Sequence, residues 1–365
     1  MARLLERNIL LSLFLSILAP VAPAQNIVSG SANHTNSLLN RLDIEVTAGT
    51  TGLGLNLSTN LNDMVRMRAG VSYFPHENVP MAFDLMSYGD DDADEETTSQ
   101  RFDKLSAMME GFTGVKIDRQ IDMHAHGTMA DFRLLFDVYP FVGNRHWYAT
   151  AGFYWGSRRV GHIENTIREA PSLMGVIIYD NMYDYFMNDR FFYEPFYGEA
   201  YLDPEVGMEM KEKFARYGRL GAHVGDFVEG SPMYKEGSTV PYLLKPDADG
   251  TIRADMYVNS FKPYLGIGYD ACVSRDGRWN IGFDAGALFW GKPKIYTHER
   301  YIYYEDGTVS YGTVTDPDFK GYIGPEVNLA TDVTDIAGKA GEYCRIAKAI
   351  HVYPVLNFKI SYKLF

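Results

Sequence analysis

Segments that alternate apolar and polar residues meet in pairs across turns of a few residues, yet successive pairs are separated by very long loops. Asn62-Asp63 joins one pair, Val142-Gly143-Asn144-Arg145 a second, and Ser274-Arg275-Asp276-Gly277-Arg278 a third. Alternation of period two gives each strand one apolar face and one polar face. Short turns at one end and long loops at the other are the pattern of an antiparallel barrel that crosses a membrane, its apolar face toward lipid and its polar face toward the lumen.

In the first pair Val65, Met67, Ala69, Val71 and Tyr73 face outward, with Arg66, Arg68, Gly70 and Ser72 between them. The second pair carries Phe132, Leu134, Phe136 and Val138, then Trp147, Ala149, Ala151, Phe153 and Trp155. The third carries Phe261, Leu265, Ile267 and Tyr269, then Trp279, Ile281, Phe283, Ala285, Ala287 and Phe289. Its inward set includes Lys262, Asp270, Asn280 and Asp284. The last segment alternates through Leu356, Phe358, Ile360, Tyr362 and Leu364 and ends at Phe365.

Those segments make seven strands, whereas antiparallel closure needs an even number. Near the N-terminus the apolar residues fall on Leu42, Ile44, Val46 and Ala48, then switch phase to Leu53, Leu55 and Leu57 across Gly49-Thr50-Thr51-Gly52. A tight hairpin there supplies the eighth strand; a bulge in one long strand also flips phase and leaves seven. Closure favours the hairpin, because an open barrel has unpaired edges. The fold expected is all-β: an eight-stranded antiparallel transmembrane β-barrel with long structured extracellular loops, at about 75–120, 158–257 and 292–352. The loops hold a candidate helix through Phe102, Leu105, Met108 and Met109, a hairpin at Asp247-Ala248-Asp249-Gly250, another at Glu305-Asp306-Gly307, and a helix from Thr331 to Ala349.

Arg3 and Arg7 precede the apolar run Ile9 to Leu18, and Ala22-Pro23-Ala24 offers a small-x-small cleavage pattern before Gln25. Residues 1–24 read as a signal peptide and 25–40 as a periplasmic tail. The run is shorter than the ~20 residues of a membrane-spanning helix. Loss of Arg3, Arg7 and Glu6 takes the net charge from 34 − 47 = −13 to 32 − 46 = −14, an acidic balance that excludes nucleic-acid partners. The two cysteines, Cys272 and Cys344, fall at opposite ends of the barrel, too far apart to bridge.

The strands resemble those of small outer-membrane barrel proteins of Gram-negative bacteria, of the OmpA-like and small-porin type. The matching stretches are Gly49-Thr50-Thr51-Gly52-Leu53-Gly54-Leu55, Arg68-Ala69-Gly70-Val71-Ser72-Tyr73 after the Asn62-Asp63 turn, Pro263-Tyr264-Leu265-Gly266-Ile267-Gly268-Tyr269, and Tyr353-Pro354-Val355 with Phe358 to Phe365. They cover the strands and none of the loops. The resemblance implies an outer-membrane location and a small-solute porin or envelope-structural role, without enzymatic activity. It also implies that Phe358, Ile360, Tyr362 and Phe365 form the signal read by the outer-membrane assembly machinery, with Tyr362 one register off the usual spacing. The alternative is a surface-exposed binding or adhesion protein that uses the barrel as anchor and its loops for recognition.

The expected lumen charges are Glu45, Arg66, Arg68, Arg133, Asp137, Asp270, Asp284 and Lys359. They read either as an internal ion-pair brace or as a narrow charged conduit for a small polar solute. The loop binding candidates are Tyr179, Tyr183, Tyr185, Phe191, Phe192, Tyr193 and Tyr197, which could meet a surface ligand or form the loop's own core. His124 and His126 share a strand face but supply two ligands where a structural metal site needs four. The acid run Asp90 to Glu96 and the Asp247–Gly250 turn read as solvated loop and turn rather than calcium sites. Ser157 with His162 is the nearest nucleophile and base pair, and nothing in the sequence orients it. No metal or cofactor is implied.

Overall fold

Period-two alternation becomes a closed cylinder. The computed structural model describes residues 41–88, 98–141, 143–314, 319–336 and 338–365. The expected signal peptide and tail, and the acid run Asp90 to Glu96, lie outside the described residues. Eight strands form the barrel: β1 (Leu42–Gly49), β2 (Gly52–Asn60), β3 (Val65–Tyr88), β4 (Gln120–Val138), β5 (Trp147–Gly156), β10 (Phe261–Cys272), β11 (Trp279–Leu288) and β16 (Tyr353–Lys363). The order runs β4, β5, β10, β11, β16, β1, β2, β3, and β3 pairs back onto β4. Every neighbouring pair is antiparallel.

The phase switch at Gly49–Gly52 is the hairpin. Gly49 pairs with Gly52 across Thr50 and Thr51, and Gly52 takes a φ of 83°, which a side chain rarely adopts. Phase follows register: Val46 lies between Leu55 and Ile360, all outward, while Glu45 lies between Asn56 and Ser361, all inward.

Beyond the barrel rim the chain departs from the expected loops. The segment read as a loop from 75 to 120 begins as strand: β3 runs on to Tyr88 and β4 starts at Gln120, so the two form a ribbon that rises out of the barrel wall. A bulge between Phe74 and Glu77 shifts the register by one. Inward residues on β3 are therefore even-numbered below it and odd-numbered above it, whereas on β4 they are odd throughout. Pro75 and Pro80 are tolerated because β3 there pairs only with β4; its other side has left β2 after Tyr73 and meets the next strand only at Leu85.

The ribbon seeds a cap. On the β4 side follow β6 (Arg159–Asn165), β9 (Arg253–Tyr257) and β12 (Lys294–Tyr304), the last pairing with β13 (Val309–Gly312) and β14 (Gly321–Asn328). On the β3 side follow β7 (Arg219–Phe227), β8 (Pro241–Leu244) and β15 (Val333–Thr334). Helices α1 (Thr98–Thr113), α2 (Ala170–Met187), α3 (Pro204–Tyr217) and α4 (Gly338–Ala349) complete it. On α1, Phe102, Leu105 and Met109 recur at helical spacing and are buried. Asp203 caps α3 by accepting from the Glu205 amide at 2.9 Å; Pro204 opens the helix and Gly218, at a φ of 71°, closes it. Among the described residues, no helix is long and apolar enough to cross a membrane.

Two local expectations are corrected. Asp247 to Gly250 is a turn, with Gly250 N–H donating to Asp247 O at 2.9 Å, but it does not join a hairpin. The strands on either side pair elsewhere: β8 with β7, and β9 with β6 and β12. The helix expected from Thr331 starts only at Gly338, because Val333 and Thr334 pair with Phe227 and Asp226 instead. The hairpin at Glu305-Asp306-Gly307 is present between β12 and β13.

Candidate functional site: the filled lumen and the cap

The inward residues of the barrel converge because eight strands leave an interior just wide enough for side chains to fill. Arg68, 1% exposed, lies at the centre. Its Nη1 is 2.8 Å from Asp284 and 3.3 Å from Glu45, and its Nη2 is 2.8 Å from Asp137. Arg66 shares Asp137 at 3.0 Å and reaches Asp270 at 2.8 Å. Lys359 lies 2.7 Å from Asp270 and donates to the Tyr148 hydroxyl, which donates to Asp284 at 2.7 Å. Arg133 is held indirectly: it donates to Asn56 at 2.5 Å and Thr47 at 2.7 Å, and Asn56 donates to Glu45 at 2.5 Å. All eight expected lumen residues thus meet in one hydrogen-bonded network.

An apolar cluster is interleaved with this network, Leu135 lying on β4 between Asp137 and Arg133. Leu135, Tyr154, Tyr264, Leu288 and Val355 are buried against one another, with Tyr353 packed on them. Glycine makes room for the rings: a Cβ at Gly268 would stand 2.1 Å from the Tyr148 ring, and one at Gly286 2.6 Å from the Tyr264 hydroxyl. At the long-loop rim, Lys262 and Asp131, both fully buried, close to 2.7 Å, and Lys262 also donates to Ser157 O at 3.0 Å. At the opposite end Arg41 pairs with Asp43 at 2.8 Å, beside a vestibule of about 200 Å³ bordered by Arg66, Tyr139 and Asp270. Asp131 and Asp43 were not anticipated, and Lys262 was read as inward without a partner. The signal for all three was their position in phase with the inward row.

The outside of the cylinder is the reverse. Val46, Leu55, Leu57, Val71, Leu265, Ile267 and Ile360 are each more than half exposed. Two aromatic girdles bound this apolar belt. Trp147, Tyr269, Trp279 and Tyr362 ring the short-turn end, with Trp147 and Tyr269 at 5.1 Å and Trp279 and Tyr362 at 4.8 Å between centroids. Tyr73, Phe132, Phe153, Trp155 and Phe261 ring the other, with Phe153 and Phe261 at 5.2 Å. A belt of this kind around an interior of buried charge is stable only with hydrocarbon outside. The chain is an outer-membrane β-barrel protein. Its short turns are therefore periplasmic and its cap extracellular.

No protein-family model matches the sequence, and no curated protein matches it closely. Solved structures with a similar outline include CarO2 of Acinetobacter baumannii, at 14% identity and a TM-score of 0.34 over 90% of this chain and 100% of that one. CarO of the same organism gives 12% identity and 0.34 over 89% and 99%. A major outer membrane protein of Thermus thermophilus gives 9% and 0.29 over 89% and 98%. Overlaps at these scores carry no weight, and the assignment stands on the belt, the girdles and the lumen.

In the cap, the aromatic candidates divide. Tyr179, Tyr185 and Phe191 are buried, and Tyr183 packs against the same core. Phe186 stacks on Phe214 at 5.1 Å and Tyr179 lies 5.2 Å from Phe214, joining α2 to α3. Phe192, Tyr193 and Tyr197 are exposed, Tyr197 by 84%. His124 and His126 lie side by side on β4, with ring centroids 6.3 Å apart. Among the described residues no group of three His, Cys, Asp or Glu side chains is placed to hold a metal ion. Ser157 and His162 are not brought together: Ser157 Oγ bonds the Ala130 backbone, and His162 lies between Asp255, at 2.7 Å, and Glu164, at 3.1 Å. Cys272 is exposed at the periplasmic end and Cys344 is buried in the cap, both as free thiols.

The cap also buries a carboxyl. Glu299 on β12 accepts from the Tyr242 hydroxyl at 2.5 Å, and burial raises its pKa from an ordinary 4.5 to about 7. A carboxyl whose folded pKa is raised binds its proton more tightly in the folded state, so its contribution is full below about pH 4.5 and lost as pH rises through 7. The cap should therefore resist proteolysis better at pH 5 than at pH 8. Glu299→Gln, which keeps an acceptor for Tyr242, should remove most of that difference; an unchanged pH profile in the variant would refute this source.

Proposed function

We propose that this protein is a surface-exposed binding protein, non-enzymatic, whose barrel is a closed anchor and whose cap is the recognition element. The observation that carries this reading is the packing of the lumen. The ion network and the Leu135–Tyr264–Leu288 cluster interdigitate within the barrel, so a solute must displace both to pass. Unpairing such buried charges is strongly unfavourable. The cap, in contrast, offers exposed aromatics at Phe192, Tyr193 and Tyr197, a residue class that gives large contact area at low entropic cost. The outward side chains Phe358, Ile360 and Tyr362, with Phe365 beyond the strand end, fit the role of an assembly signal in the same reading.

Planar-bilayer recording of the purified, reconstituted protein tests it. The expected result is a flat trace with no unitary steps at moderate voltage. Steps whose ion selectivity changes in Lys359→Gln would overturn the anchor reading and favour a small-solute porin.

A further inference from the structure

The β3–β4 ribbon carries the inward row of the barrel upward into the cap, and the bulge at Phe74–Glu77 holds that row on one face. Below the rim most of the row is polar or charged; from Val79 and Ala125 upward it is hydrocarbon. Val79, Met81 and Phe83 on β3 and Met123 and Ala125 on β4 border a cavity of about 270 Å³, closed opposite by Met256, Ile295 and Leu329. An apolar recess left unfilled forfeits dispersion contacts along its walls. This one is also larger than the engineered apolar cavity of about 150 Å³ that binds benzene.

Its shape and chemistry narrow the occupant. The lining runs along β3 from Phe74 to Phe83, a span of roughly 25–30 Å at ~3.3 Å per residue, so the space is drawn out rather than round. Of the ionisable groups at its border, His126 and His162 stand in register on the face opposite Ala125 and Ile163, and His162 engages Asp255 and Glu164 there. The Cys344 thiol on the wall is neutral, its pKa pushed by burial up to about 11. Three methionines supply a wall that adapts to an irregular guest.

We propose that the cap cavity binds one linear hydrocarbon chain of an amphiphile, with the polar head left at the rim. The proposal rests on the reading of the cap as the recognition element and adds the ligand class. The chain has two possible sources, a free fatty acid from outside and a lipid of the outer leaflet, and the chemistry in the cavity is the same.

The test is photolabelling of the full protein in nanodiscs. One arm adds decanoate with a terminal diazirine; the other builds the disc with a phospholipid carrying that diazirine at its chain end. The expected result is labelling of peptides containing Met81, Met123 or Met256 in at least one arm, and which arm labels identifies the source. Excess unlabelled decanoate should suppress the label in the first arm. Ala125→Phe, which puts a ring into the cavity, should reduce cavity labelling in the productive arm by roughly tenfold or more. Adducts confined to the lipid-facing strands in both arms would overturn the proposal in the wild-type protein, independently of whether the variant folds. A conducting bilayer record would remove the anchor reading and leave the labelling result standing; an unlabelled cavity with a flat record would remove only this inference.

Discussion

Replacing Arg68 by alanine should destabilise the barrel by about 3–5 kcal/mol, the range for removing one partner of a buried ionic cluster. Arg68 touches Glu45, Asp137 and Asp284, and all three carboxylates are buried. Without the guanidinium, Asp137 retains Arg66, whereas Asp284 keeps only the Tyr148 hydroxyl among its close partners named above. Urea unfolding of the protein folded into lipid vesicles reads the loss directly. A matched double variant, Arg68→Met with Asp284→Asn, should recover part of it, because the uncompensated charge is then smaller. The single variant should still give a flat bilayer trace, since the side chains of the Tyr264 and Leu288 cluster remain in the lumen. A loss below about 1 kcal/mol, typical of exposed pairs, would mean that the network is hydrated rather than buried.

The complementary change on the outer wall is Leu55→Arg. Leu55 pairs with Val46, which pairs in turn with Ile360, at the middle of the apolar belt. A cation at the midplane of the bilayer should destabilise the folded barrel by about 2–4 kcal/mol, and the same change near an interface by about 0–1 kcal/mol. Leu42→Arg, at the periplasmic end of the same hairpin, is the matched control. The readout is again vesicle unfolding, supplemented by the fraction that migrates as compact species on an unheated gel. Equal tolerance at both positions would show that lipid does not surround this belt.

What was legible in the sequence is the part governed by a local period. Arg66, Arg68, Asp137, Asp270 and Asp284 read as inward because their neighbours two residues away share a face, and closure turns a shared face into a shared lumen. The Gly49–Gly52 hairpin was legible for the same reason, since a phase switch between two good strands has few physical causes. The upper halves of β3 and β4 were obscured by a second phase switch, at Phe74–Glu77, flanked by Pro75 and Pro80. Prolines usually end a strand, and only the loss of the β2 partner above Tyr73 makes them harmless here.

The cap was less legible because its pairings are non-local. Nothing near Asp247–Gly250 announces that the strand after it joins β6 and β12 rather than the strand before it. Val333 leaves the expected helix because Phe227, distant in sequence, offers it a ladder. The aromatic run from Tyr179 to Tyr197 holds both core and surface residues. Composition could not separate Tyr179 and Phe191, which face α3, from Tyr193 and Tyr197, which face water.

The unbroken passage of β3 and β4 from bilayer to cap has a mechanical meaning. A module on a peptide tether can tumble without disturbing its base, but here the ladder that closes the cylinder is the ladder that carries the cap. Tilting the outer part must bend or shear those two backbones at the rim, so a load applied from outside the cell is delivered straight into the wall.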